Sequence, residues 1–168
     1  MVTPHSSPLL AGLKSALDEL LAQEDPDDAV FTAEQDEDRA RAAHAFTASG
    51  PELLDAATPY LWEYYRAVAA EFGPTELREY GIPTFGPETD IWGQVSFSTP
   101  PSMEVGRPPF APARAYISFE GEVSWEPEHG LQLVFENGSR VCKVGPYDGH
   151  LTNAHAFADV SLLDVVFK

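Results

Sequence analysis

Leu131-Gln132-Leu133-Val134-Phe135-Glu136, the dipeptide Asn137-Gly138, and then Ser139-Arg140-Val141-Cys142-Lys143-Val144 form the run from which the architecture can be read. Asn-Gly accepts positive φ at both turn positions, the geometry that joins two antiparallel strands in a tight hairpin. Upstream, Tyr116 to Trp125 alternates with period two. Ile117, Phe119, Val123 and Trp125 fall on one face, and Tyr116, Ser118, Glu120, Glu122 and Ser124 on the other. That pattern predicts one dry face and one wet face. Strands at about 115–125, 131–136 and 140–145 therefore form an antiparallel sheet, with 93–99 and 163–167 as candidates to extend it.

The N-terminal part reads as helix. Leu9, Leu10, Leu13, Leu17, Leu20 and Leu21 recur at spacings of three and four, with Ser7 as cap and Pro8 in the first turn. The stripe suits packing on the core, and a partner-binding face is the other use. Residues 36–48 are Ala-rich and helical in pattern. A longer helix spans about Pro51 to Phe72, with Leu54, Ala57, Leu61, Tyr64, Val68 and Phe72 on one face. Pro59 inside it predicts a kink or a restart capped by Thr58. Tyr60, Trp62, Tyr64 and Tyr65 suit the core better than an aromatic cage. Gly86 to Trp92 reads as one helical turn, and five prolines between Pro100 and Pro112 as a loop or covering arm. The expectation is one α+β domain over 1–168, with N-terminal helices packed on a C-terminal antiparallel sheet. Residues 1–49 supply a helix, an acidic loop and the Ala-rich helix, and 50–168 the long helix and the sheet.

Ten Lys and Arg against 27 Asp and Glu give a formal net charge of −17. Such a surface repels phosphate backbones and anionic membranes, so no nucleic acid and no membrane is expected as a partner. An apolar share of 43% is too high for a disordered chain. The N-terminus lacks a cationic run followed by an apolar core, and a cytoplasmic setting is expected. Cys142 is the single cysteine, read as an ordinary half-buried strand residue. Ten carboxylates lie between Asp18 and Asp38 with no Lys or Arg among them, interrupted by Ala29 to Ala33, which reads as a short edge strand. Charges this dense form a solvated loop or, in the sharper reading, a docking surface for a basic partner through Asp25, Asp27, Asp28, Asp36, Glu37 and Asp38. Calcium-loop spacing is absent.

Two segments concentrate unusual residues: Trp125-Glu126-Pro127-Glu128-His129-Gly130-Leu131, read as a loop between strands, and Gly145-Pro146-Tyr147-Asp148-Gly149-His150-Leu151-Thr152-Asn153-Ala154-His155. With antiparallel neighbours, both lie toward one end of the sheet. The run Trp125 to Phe135 (WEPEHGLQLVF) and the run Asp148 to Asn153 (DGHLTN) resemble the signature of an uncharacterised bacterial domain family of unknown function. Pro51 to Leu54, Tyr64-Tyr65-Arg66 and Asp90-Ile91-Trp92 are similar to its helical half. The resemblance covers about residues 50–158 and leaves the acidic run outside. It implies an α+β fold and a small stand-alone cytoplasmic protein, with some relatives of the immunity or toxin-neutralising type, and no established activity.

Two readings of these segments compete. In the metal reading, His129 with His150 or His155 supplies imidazole nitrogens, and Glu128 and Asp148 supply oxygens, a set suited to zinc or manganese. A bound water would then serve a hydrolase. In the structural reading, Glu126 and Glu128 accept loop amides, Pro127 presets the turn, and Gly130, Asn137, Gly138 and Gly149 sit at turn positions. Glu126 with Glu128 is a poor glycosidase pair, being two apart in one turn. No G-x-S-x-G elbow or phosphate-binding glycine loop occurs. His5 reads as solvated tail and His44 as helix surface. The preferred expectation is a non-enzymatic acidic binding protein without cofactor, immunity-like or regulatory, engaging a basic protein partner. The alternative is the metal-dependent hydrolase.

Overall fold

The structure, a computed structural model, describes residues 6–23 and 31–168. Helix α1 (Ser6–Gln23) buries Leu10, Leu13 and Leu17, with Leu9, Leu20 and Leu21 packed at the margin of the same core. The stripe is thus a core face. Helix α2 (Ala33–Ala48) is opened by a capping box: the Thr32 hydroxyl accepts from Gln35 N–H at 3.3 Å, and Thr32 N–H donates to the Gln35 side chain at 2.8 Å. That box corrects the expected edge strand, since Thr32 is the cap and Ala33 the first helical residue. Residues 29 and 30 lie outside the described residues. The alanines let α2 approach the sheet closely, and Phe46 inserts between Phe119 and Phe135, each 5.2 Å away.

Helix α3 (Glu52–Ala70) runs through Pro59 without a restart. Proline removes one helical hydrogen bond, but Leu54, Ala57, Leu61 and Tyr64 are all buried, and packing outweighs that loss. Thr58 is a tether rather than a cap. Its hydroxyl donates to the Leu54 carbonyl at 2.7 Å and accepts from Trp92 Nε1 at 2.9 Å. Helix α4 (Pro74–Glu79) follows at once, because Pro74 occupies its first turn and Glu76 accepts from Gly73 N–H. The turn at 86–89 is closed by Thr89 N–H on the Gly86 carbonyl, and a separate 3-10 turn, Ile91–Gln94, is capped by Asp90.

The five strands are β1 (Val95–Ser96), β2 (Ser102–Val105), β3 (Ala115–Val123), β4 (Glu126–Glu136) and β5 (Arg140–Gly145). All pairings are antiparallel, in the order β1-β3-β4-β5, with β2 also on β3 beyond the end of β1. The proline-rich arm therefore contains a strand, placed between Pro101 and Pro108 where no proline interrupts the ladder. Asn137 and Gly138 both have positive φ, as the hairpin needs. A Cβ on Gly138 would stand 1.9 Å from the Ala42 carbonyl, so α2 lies directly on this turn. Residues 163–167 do not form the expected strand. They are tied to β5 by Val144 N–H on the Val166 carbonyl (2.9 Å) and by the Arg140–Asp164 ion pair (3.5 Å), and the Asn153 amide donates to the Val165 and Val166 carbonyls.

Helices α1, α2 and α3 share one core with the face of the sheet carrying Ile117, Phe119 and Phe135. The opposite face is not wet along its length. Tyr116, Val134, Cys142 and Leu151 form a second buried cluster there, and Ser118, Gln132 and Lys143 are also buried. The arm after β2 and the segment after β5 cover it, joined where the Thr152 hydroxyl donates to the Phe110 carbonyl. Cys142 is accordingly buried rather than half-buried, and burial pushes its thiol up to about 12, which makes it inert. No described helix is long and apolar enough to cross a membrane.

Candidate functional site

Between the C-terminal half of α3, the chain after α4, the start of β4 and the C-terminal residues lies an open cleft of about 790 Å³. Tyr64, Phe72, Tyr80, Trp125 and Phe167 supply aromatic wall, and Glu71, Glu126, Glu128, His129 and Lys168 supply the ionisable groups.

Glu126 to Gly130 is not a loop between strands but the first part of β4, deformed. Val123 pairs with Glu126 and Gly121 with Leu131, so Pro127, Glu128, His129 and Gly130 all stand opposite Glu122 alone. The Glu126 carboxylate closes this bulge, accepting from His129 N–H at 2.7 Å and Glu128 N–H at 3.3 Å, with His129 Nδ1 at 3.4 Å. Gly130 has φ +61°, and a Cβ there would meet the Gly121 carbonyl at 2.4 Å. From α3, the Tyr64 hydroxyl donates to the Gly130 carbonyl at 2.8 Å and lies 3.4 Å from the second Glu126 oxygen. Burial and the Glu126 charge push the Tyr64 pKa up, so the phenol stays a donor. Trp125, fully buried, anchors the base of the bulge with Tyr64, Tyr65 and Phe85 at 5.8–5.9 Å. Its indole N–H is buried without an acceptor among the described residues.

The two expected loops do meet, through the backbone: Tyr147 N–H donates to the His129 carbonyl at 3.1 Å. Their side chains part company. The ligand atoms of Glu126, Glu128 and His129 come within 4.8 Å of one another, whereas Asp148, His150 and His155 do not join that group. Asp148 instead pairs with the buried ammonium of Lys143, which also donates to the His150 carbonyl at 3.1 Å. Desolvation pulls Lys143 below the usual lysine pKa, opposed by Asp148. His150 and His155 stand edge to face, 4.7 Å between centroids. Burial, then the neighbouring His150 and Lys143, lower the His155 pKa. Gly149 has φ +75° in the turn between Asp148 and His150.

The acidic candidates divide. Asp25, Asp27 and Asp28 lie outside the described residues. On α2, Asp36 pairs with Arg39 at 3.5 Å and Asp38 with Arg41, while Glu37 is exposed. The sequence reading missed Glu71, Tyr80, Phe167 and Lys168 as cleft residues, and it took Tyr64 only as core. Glu71, the C-cap of α3, follows Tyr64 by seven in right-handed helical conformation, a spacing that places both on one face. Nothing in the sequence brings Phe167 and Lys168 to that face.

Residues 14–151 match the model of a family described as a domain of unknown function, DUF6985. The match begins inside α1, so the acidic run lies within the family domain, not outside it as the expected span of 50–158 had it. No curated protein and no solved structure matches the chain. With most of its length covered, from the first helix through the sheet to Leu151, this chain belongs to the DUF6985 family.

Proposed function

We propose that this protein is a non-enzymatic binding protein whose acidic surface engages a basic protein partner, in an immunity-like or regulatory role in the cytoplasm. The observation that carries the reading is the charge of this cleft. Three carboxylates (Glu71, Glu126 and Glu128) and one ammonium, that of Lys168, line it, and that ammonium lies over the Phe157 ring at 5.3 Å. Around it, a net charge of −17 speeds encounter with cationic surfaces. The hydrolase alternative is the weaker reading. Glu126 spends its oxygens on the bulge amides, and the second loop's side chains are committed to Lys143 and to each other.

The test is a partner screen with the immobilised full chain at low and at high salt. The expected result is a cationic partner released as salt shortens the Debye length from about 10 Å to about 3 Å. A partner retained equally at both salts, or one without net positive charge, would overturn the proposal.

A further inference from the structure

We infer that the cleft seats one arginine side chain of the basic partner, its stem on the Phe72 and Tyr80 rings and its guanidinium between Glu71 and Glu128. The inference rests on the function proposed above and adds the residue type and the place. Tyr80 is 65% exposed, the most exposed large apolar side chain among the described residues, and its ring stands 5.6 Å from that of Phe72. Two adjoining rings at an open mouth cover an aliphatic stem and present faces to a cation. Glu71 and Glu128 are exposed, and neither carboxylate takes a hydrogen bond or ion pair from a described residue. Glu126, by contrast, is spent on the bulge, accepting from the backbone N–H groups of Glu128 and His129. Free carboxylates beside aromatic faces complement a planar, permanently charged group, and guanidinium both stacks and binds carboxylates through paired N–H donors. A lysine ammonium, more strongly hydrated and without a plane, gains less there.

The experiment is an NMR titration of the full chain at low salt with acetylated, amidated Gly-Leu-Arg-Leu-Gly. The same peptide with citrulline, and with lysine, in place of arginine provides the comparison. The arginine peptide is expected to shift Phe72 and Tyr80 resonances. The combined Glu71→Gln and Glu128→Gln variant should bind it about tenfold more weakly, while Glu63→Gln with Glu104→Gln, an equal loss of charge elsewhere, leaves affinity unchanged. Citrulline, which keeps the shape and loses the charge, should cost about tenfold as well. Equal binding of the citrulline or lysine peptide, equal loss in both variants, or shifts confined to α2 would overturn the arginine seat and leave the basic-partner reading standing. Failure of every cationic peptide, poly-arginine included, to bind at low salt would overturn both.

Discussion

The Tyr64 hydroxyl on α3 donates to the Gly130 carbonyl on β4 at 2.8 Å, across a sequence separation of 66 residues. This bond ties the helical layer to the bulged start of β4, at the wall of the cleft. Tyr64→Phe keeps the ring and leaves the Gly130 carbonyl without that donor. The expected loss is about 1–2 kcal/mol in urea unfolding, with faster amide exchange at Glu128 and His129. Unchanged exchange there would show that Glu126 holds the bulge alone.

Gly138 and Gly81 both have positive φ, yet their surroundings differ. Nothing lies within 4 Å of a Cβ on Gly81, whereas one on Gly138 would strike the Ala42 carbonyl at 1.9 Å. Gly81→Ala should cost about 1–2 kcal/mol, the backbone strain alone. Gly138→Ala should cost distinctly more, because α2 must lift from the hairpin. Equal midpoints in chemical denaturation would contradict the close packing.

Lys143 is almost fully buried and Asp148 is its charged partner. Asp148→Asn strands the ammonium, and the cost should be about 2 kcal/mol, reduced from a fully buried pair because Asp148 is 37% exposed. Adding Lys143→Met should recover part of that loss. A double-mutant cycle giving additive effects would deny the coupling.

Acidification should weaken the fold through His155. Its folded pKa is lowered from 6.5, so below that pH the unfolded chain binds the proton more readily. Stability therefore falls as pH drops from 6.5 through the folded value, and above 6.5 the group contributes nothing. Asp148, His150, Lys143 and Arg107 are the charges acting on it. His155→Gln should flatten the dependence of the urea midpoint on pH in that window. An unaltered slope would assign the effect to another group.

Added zinc or manganese should leave the thermal midpoint unchanged, since Glu126 is spent on backbone amides. Binding at one hundred times its Kd would stabilise the fold by about 2.7 kcal/mol. A rise of that size, lost in His129→Ala, would restore the metal reading.

Much of the fold was legible in the sequence because it is written in local terms. The Leu stripe of α1, the Leu54 to Tyr64 face of α3 and the Asn137-Gly138 turn each encode their own conformation by spacing or by φ preference. The misreadings share a cause. Tyr116 and Ser118 look solvent-facing because period two reports only which residues share a face, not what later covers that face. Glu126 to Gly130 looks like a loop because Pro, Gly and charge signal irregular backbone, and a bulge uses the same residues.

The sequence by itself determined the three long N-terminal helices, the antiparallel hairpin and the acidic excess, since periodicity, turn preference and charge are properties of neighbours along the chain. Only the tertiary structure decided that Glu71, Tyr80 and Glu128 share one cleft and that Asp148 belongs to Lys143 instead. Those choices depend on the approach of segments tens of residues apart. Burial then selects which carboxylate must find a partner inside the protein and which stays exposed to solvent.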